Sequence, residues 1–189
     1  AAVGFGLTSY TIGAERGWVP RAEAAARAAK TLRFLLTAPS GPSSSGMTGY
    51  RGFFYHFLEM RTGARFKNVE LSTIDTALLA AGALSCQSYF DGDDPIEAHV
   101  RADADTLYRR IEWDWARPRP PGVSMGWMPE EGFHAMNWHG YDEAMILYVL
   151  ALGPPTHAAD PAARDEGPRP HRRGAHQGQE EGNVPTAGG

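Results

Sequence analysis

A single cysteine, Cys86, stands in 189 residues. No disulfide can therefore form within the chain, and no set of thiolates can hold a metal. Cys86 sits inside an apolar helical run, the setting of a buried and inert thiol. No apolar stretch reaches the roughly 18 residues that a membrane span requires. Positive charge is not in excess: 18 Lys and Arg stand against 22 Asp and Glu, a net charge of −4. With no basic stripe, nucleic acid is not an expected partner. The histidines show neither an HExxH pattern nor another paired ligand spacing, so no metal is expected. Gly4-Phe5-Gly6 lacks the rest of a dinucleotide fingerprint and no phosphate loop is present, so no cofactor is expected. Asp91-Gly92-Asp93-Asp94 resembles the start of a calcium loop, but Ala102 stands where that loop needs a glutamate, and the segment reads as a turn. No secretory leader is visible. The chain opens on Ala1 without methionine, as a fragment or a processed product would.

What is present is apolar content of 42% and aromatic content of 11%, enough for one globular core. Ala1 to Gly13 reads as the end of a buried helix. Pro20 fits the first position of the next. Ala24, Ala28, Leu32 and Leu35 then recur at helical spacing up to Thr37, and Ala38-Pro39 ends the run because the residue before proline leaves the helical region. Tyr50 to Phe57 is aromatic and strand-like. With the turn at Arg61 to Ala64 and the return at Arg65-Phe66, it predicts a β-hairpin. Ser72-Thr73-Ile74-Asp75 is a variant capping box, opening a helix to about Tyr89. Asp94 and Pro95 start another, from Ile96 to about Ile111. Val123 to Trp127 and Gly132 to Trp138 are expected to pair as short strands. A last helix runs from about Tyr141 to Leu152 and stops at Gly153-Pro154-Pro155. Ala158 to Gly189 holds no aromatic residue and one large aliphatic, Val184, and is expected to be disordered. Glu130 and Glu131, beside Pro129, are expected to be solvated.

Short and long links alternate along this series. Long structureless links are uncommon in compact domains unless they carry function. In a ring of helical hairpins the two long aromatic links would share one face. Sugars stack on aromatic rings and bond to carboxylates, amides and imidazoles. Tyr55, His56, Trp127, Asn137, Trp138, His139 and Tyr141 supply such groups, although aromatics also serve to pack loops onto helices. Glycosidic cleavage needs two carboxyl groups, one acid and one base or nucleophile. Glu70 and Glu143 stand in matching places, each after a long aromatic link and at the start of an apolar helix. The helix macrodipole alone would also favour acids there, by roughly 0.3–1 kcal/mol. Asp75 and Asp142 are secondary candidates for the carboxylates: Asp75 otherwise reads as a helix cap, Asp142 as a sugar ligand or a charge favoured by the helix start, and Glu59 as a hairpin residue of either orientation.

The runs GLTSYTIGAERGWVPRAEAAAR, GYRGFFYHFLEMRTGARF, VELSTIDTALLAAGALSCQSYFDGDD, ADTLYRRIEWDW and NWHGYDEAMILYVLALGPPTH resemble the bacterial glycoamylase-like domain. That domain is similar to glycoside hydrolase family 144, the endo-β-1,2-glucanases, and to a domain of cyclic β-1,2-glucan synthases. The resemblance covers residues 1–157 and implies an all-α protein with short β-hairpins in long loops, an incomplete (α/α)6 toroid, followed by a disordered tail over residues 158–189. It implies hydrolysis of β-1,2-linked glucan by inversion, a polysaccharide or oligosaccharide partner, and a periplasmic or secreted location. It places Glu143 as general acid and Glu70 as a water-activating or substrate-binding carboxylate. Tyr55, His56, Trp127, Trp138, Tyr141 and Asp142 would line the substrate site. Asp142 stands where relatives usually have asparagine, and after His157 the chain departs from the family pattern into a Pro/Arg/Gly-rich tail. Two alternatives stay open: an inactive carbohydrate-binding remnant, and an unrelated helical domain that binds protein.

Overall fold

A computed structural model describes residues 1–139 and 142–160. Most of the tail expected over residues 158–189 lies outside this range, as does Tyr141. Five helices, α1 (Ala2–Glu15), α2 (Arg21–Thr37), α3 (Thr73–Tyr89), α4 (Pro95–Arg109) and α5 (Ala144–Leu152), alternate with long links that carry β1 (Gly49–Tyr50), β2 (Phe53–Tyr55), β3 (Leu71–Ser72), β4 (Gly126–Met128) and β5 (Gly132–Phe133). Local chemistry sets most helix ends. Ser72 accepts the Asp75 N–H and caps α3, and Asp94 accepts the Ile96 N–H and caps α4, with Pro95 in the first turn. Ala38 is extended (φ −63°, ψ 148°) and ends α2 before Pro39. Pro20 lies one residue earlier than expected. Its ψ of 136° is not helical, so it flanks α2 and Arg21 is the first helical residue.

The helices form two layers. α3 packs against α1 on one side and α5 on the other, while α2 packs against α4 behind them. α3 feeds both cores. Ile74, Ala77 and Ala80 join Phe53, Leu71, Trp113 and Leu147 in one. Leu79, Ala83 and Cys86 join Leu7, Leu32, Phe90 and Leu107 in the other. α1 exposes Val3, Phe5 and Ile12, and α5 exposes Met145 and Val149. Among the described residues, these apolar faces of α1 and α5 are uncovered.

The two long links meet in one antiparallel sheet of order β1-β2-β3-β4-β5. β1 and β2 form a tight hairpin through Arg51 and Gly52, with Phe54 opposite Gly49. Gly52 has φ +81°, and a Cβ there would lie 2.2 Å from the Arg110 carbonyl oxygen, so only glycine fits. The hairpin expected through residues 61–64 is also present, held by Glu59 N–H to Ala64 O (2.7 Å) and Phe66 N–H to Phe57 O (3.0 Å). β4 and β5 pair as expected, with Trp127 opposite Phe133. β3 is the strand that joins the two halves: Leu71 lies opposite Tyr55 on one side and Trp127 on the other.

Two expectations change. Glu130 is not merely solvated: its carboxylate pairs in two-point fashion with Arg65 (2.7 and 3.1 Å), whose side chain is 1% exposed. The Arg65 bond holds the Glu130 carboxyl below its usual range. The acidic turn is bound up in the fold, since Asp91 meets Arg21 and the Gly92 N–H is taken by Glu97. Packing also runs past residue 157, as buried Ala159 donates its N–H to Ala151 O (2.7 Å). Among the described residues, no helix is long and apolar enough to cross a membrane.

Candidate functional site

The β2–β3 ladder continues one residue beyond the strands. The His56 N–H donates to Glu70 O (2.9 Å), making the two residues cross-strand neighbours on one face. Their side chains meet, with His56 Nδ1 2.7 Å from Glu70 Oε1. β3 then runs directly into α3, and the first turn of that helix brings Ser72 and Asp75 beside the same imidazole. Ser72 Oγ donates to Asp75 Oδ2 (2.6 Å), the Ala1 amino group donates to Asp75 Oδ1 (2.7 Å), and His56 Nε2 stands 3.5 Å from Asp75 Oδ2. Burial pushes the Asp75 carboxyl upward. The bonds from Ala1 and Ser72, with the nearby charges of Ala1 and His56, outweigh it and hold the group below its ordinary value.

The second long link returns to this point. Trp138 donates its Nε1–H to Thr73 Oγ1 (2.9 Å) and its backbone N–H to Val123 O (2.8 Å), while the Tyr148 hydroxyl donates to Trp138 O (2.8 Å). The indole is thereby fixed between the start of α3 and the body of α5. Glu143 precedes Ala144 at the start of α5. Asp142 Oδ1 accepts the Ala144 N–H (2.9 Å), so the helix start is capped by Asp142 and Glu143 makes no capping bond. One cavity of about 380 Å³ results, lined by Glu70, Glu143, His56, Asp75, Trp138 and His134, with Ser72 and Met125 among its other walls.

The structure thus brings together four of the residues singled out from the sequence: Glu70, Glu143, His56 and Trp138. Tyr55 is 3% exposed in the core, with its hydroxyl pushed up by burial. It borders an adjoining apolar cavity of about 400 Å³, which shares His56 and Asp75 with the one holding the glutamates. Neighbouring residues of a strand point to opposite faces, and the pairing turns Tyr55 into the core and leaves His56 beside Glu70. Trp127 packs against Tyr50 (5.4 Å between centroids) and Trp115 (5.7 Å) beneath the sheet and is not a wall of this cavity. Asp142 is exposed and engaged in its cap, Asn137 bonds to Arg119, and Tyr141 lies outside the described residues. Glu59 holds its own hairpin by accepting the Arg61 and Thr62 N–H groups. Sequence reasoning missed His134, whose only signal was its place in the aromatic return strand, and took Asp75 for a cap.

No family model matches the chain. Over 170 residues it is 28% identical to the exo-β-1,2-glucooligosaccharide sophorohydrolase (non-reducing end) of Parabacteroides distasonis, covering 85% of this chain and 22% of that protein. A candidate glucoamylase from Bacteroides uniformis superposes with a TM-score of 0.75 at 28% identity, over 87% of this chain and 40% of the other. The chain resembles these proteins in sequence and in fold. The endo-β-1,2-glucanase of Chitinophaga pinensis, solved with sophorotriose and glucose, gives the same TM-score of 0.75 at 26% identity, over 87% of this chain and 38% of that enzyme. The chain thus spans about a fifth of that curated relative and about two fifths of these two solved structures. Its five helices are an incomplete (α/α)6 toroid.

Proposed function

We propose that this chain carries part of the active site of a β-1,2-glucan hydrolase, with Glu143 as the general acid and Glu70 as the carboxylate that activates water. The observation that carries this reading is that Glu70 and Glu143, ahead of different helices and far apart in sequence, line one cavity together with an imidazole and a fixed indole. In an inverting cleavage, the protonated Glu143 carboxyl gives its proton to the glycosidic oxygen as that bond breaks. Glu70 takes a proton from the water attacking the opposite face of the sugar. The Trp138 ring offers a flat surface for the sugar C–H face, and His56 a polar contact for its hydroxyls. The β-1,2-glucan relatives support the substrate class, and family resemblance supports a periplasmic or secreted location.

The test is reducing-sugar release from β-1,2-glucan by the chain and by Glu143→Gln and Glu70→Gln. Loss of one acid–base group is expected to lower turnover by about 10²–10⁴-fold. Unchanged turnover in Glu143→Gln would remove the acid assignment. The uncovered edges of α1 and α5 favour one other reading, a chain that binds glucan without cleaving it. Calorimetric binding of β-1,2-glucooligosaccharides without product would identify that case.

A further inference from the structure

The cavity contains a carboxylate that the proposed reaction leaves unused. Asp75 is the third residue of α3, and its side chain is 19% exposed. Capping does not explain it. Ser72 caps the helix by accepting the backbone N–H of residue 75, and the main chain of any non-proline residue supplies that N–H. The Asp75 carboxylate instead faces three groups: the Ala1 amino group, the Ser72 hydroxyl and His56 Nε2.

The imidazole between Asp75 and Glu70 has a carboxylate oxygen near each nitrogen, Glu70 in hydrogen-bond contact with Nδ1 (2.7 Å) and Asp75 at ion-pair distance from Nε2 (3.5 Å). Phe57 stacks on the ring at 4.3 Å and 11°. That contact limits tilting, but it leaves open a half-turn of the ring, which would put carbon atoms where the nitrogens are. A second carboxylate opposes the half-turn, because turning would surrender both contacts.

We propose that Asp75 is a positioning residue that holds the His56 ring with Nδ1 on Glu70, and so fixes the Glu70 carboxylate at the cavity wall. This rests on the reading of Glu70 as a carboxylate of the reaction. The effect of Asp75 passes through the imidazole, and the hydroxyl of Ser72 keeps the Asp75 oxygen aimed.

The test uses the chain with Asp75→Asn, which keeps the shape, and Asp75→Glu, which keeps the charge. Long-range ¹H–¹⁵N spectra of the imidazoles, with the His56 signals identified from His56→Gln, read ring order without any need for activity. In the wild type the two His56 nitrogens are expected at distinct positions of a fixed ring. In Asp75→Asn they are expected to move toward those of a mobile ring, with recovery in Asp75→Glu. His56 ring signals unchanged in Asp75→Asn overturn the proposal. On β-1,2-glucooligosaccharides, Asp75→Asn is expected to lower kcat by about 10–100-fold, the effect of a misplaced group, with KM within about threefold. A matching rise in KM with kcat retained would also overturn it. If the wild type shows no turnover, the hydrolase reading fails while the ring spectra still decide the role of Asp75.

Discussion

α1 crosses α3 with glycine facing glycine, and the crossing makes a quantitative prediction. A Cβ on Gly82 would stand 2.2 Å from the Gly4 carbonyl oxygen and 2.7 Å from Gly4 Cα. A Cβ on Gly4 would stand 2.3 Å from the Leu78 carbonyl oxygen. Every obstacle is main chain, so no rotamer change relieves it and Gly82→Ala must push the helices apart. Overpacking costs about 1–3 kcal/mol, and a backbone obstacle belongs at the upper end. Alanine returns about 1 kcal/mol of helix propensity. The net expectation is a loss of about 2 kcal/mol, or a Tm lower by about 4–8 °C for a chain of this size. Gly6 lies in the same helix α1 with nothing within 4 Å of its Cβ position. Gly6→Ala is therefore expected to gain about 0.5–1 kcal/mol. Urea unfolding followed by far-UV circular dichroism measures both. If Gly82→Ala is as stable as Gly6→Ala, the glycine-to-glycine crossing of α1 and α3 is wrong.

Two further outcomes follow from buried groups. The Arg21 bonds to Glu97 (2.7 and 2.8 Å), helped by the Gly92 N–H and opposed by burial, hold the Glu97 carboxyl below its ordinary value. A depressed carboxyl contributes stability that is fully present above its unfolded value, about 4.3, and lost as pH falls through the folded value. The urea midpoint of the wild type should therefore exceed that of Glu97→Gln at pH 7 and converge on it below about pH 4. Equal midpoints at pH 7 would show that the pair contributes nothing. Burial pushes the Cys86 thiol up to about 12, so a thiol-reactive chromogen should label the native chain negligibly and the unfolded chain fully. Rapid labelling of the native form would contradict the packing of Cys86 against α1.

Helix boundaries were legible because the signals that set them lie within a few residues. Ser72, Asp94 and the Ala38-Pro39 pair act through bonds or clashes in their own turn, and α2 spans Arg21–Thr37 as the spacing predicts. The sheet was only half legible. The pairing of β4 with β5 joins near neighbours in sequence, whereas β3 is two residues long and gains its identity from partners on both sides of it. Nothing local marks Leu71 as the residue that links Tyr55 to Trp127. Arg65 and Glu130 are likewise 65 residues apart, so sequence could not show that one buried guanidinium takes up one of two adjacent glutamates.

The same distinction governs the site. In YRGFFYHF the alternation of a strand is visible, but which face turns inward depends on pairing. The pairing buries Phe53 and Tyr55 and leaves His56 beside Glu70. The placement of Glu70 and Glu143 at helix starts was legible, yet the macrodipole explains each acid separately and is indifferent to whether they meet. Their meeting depends on β3, which leads Glu70 into α3, and on the β4–β5 hairpin, which returns through Trp138 to α5. Trp138 bonds to Thr73 in the first turn of α3 and accepts from Tyr148 in α5. One side chain and its carbonyl thus tie the start of α3 to the middle of α5, the two helices that follow the acids. Favourable helix ends would be satisfied by two solvated carboxylates. A cross-link between the two helices is required only if their relative position matters.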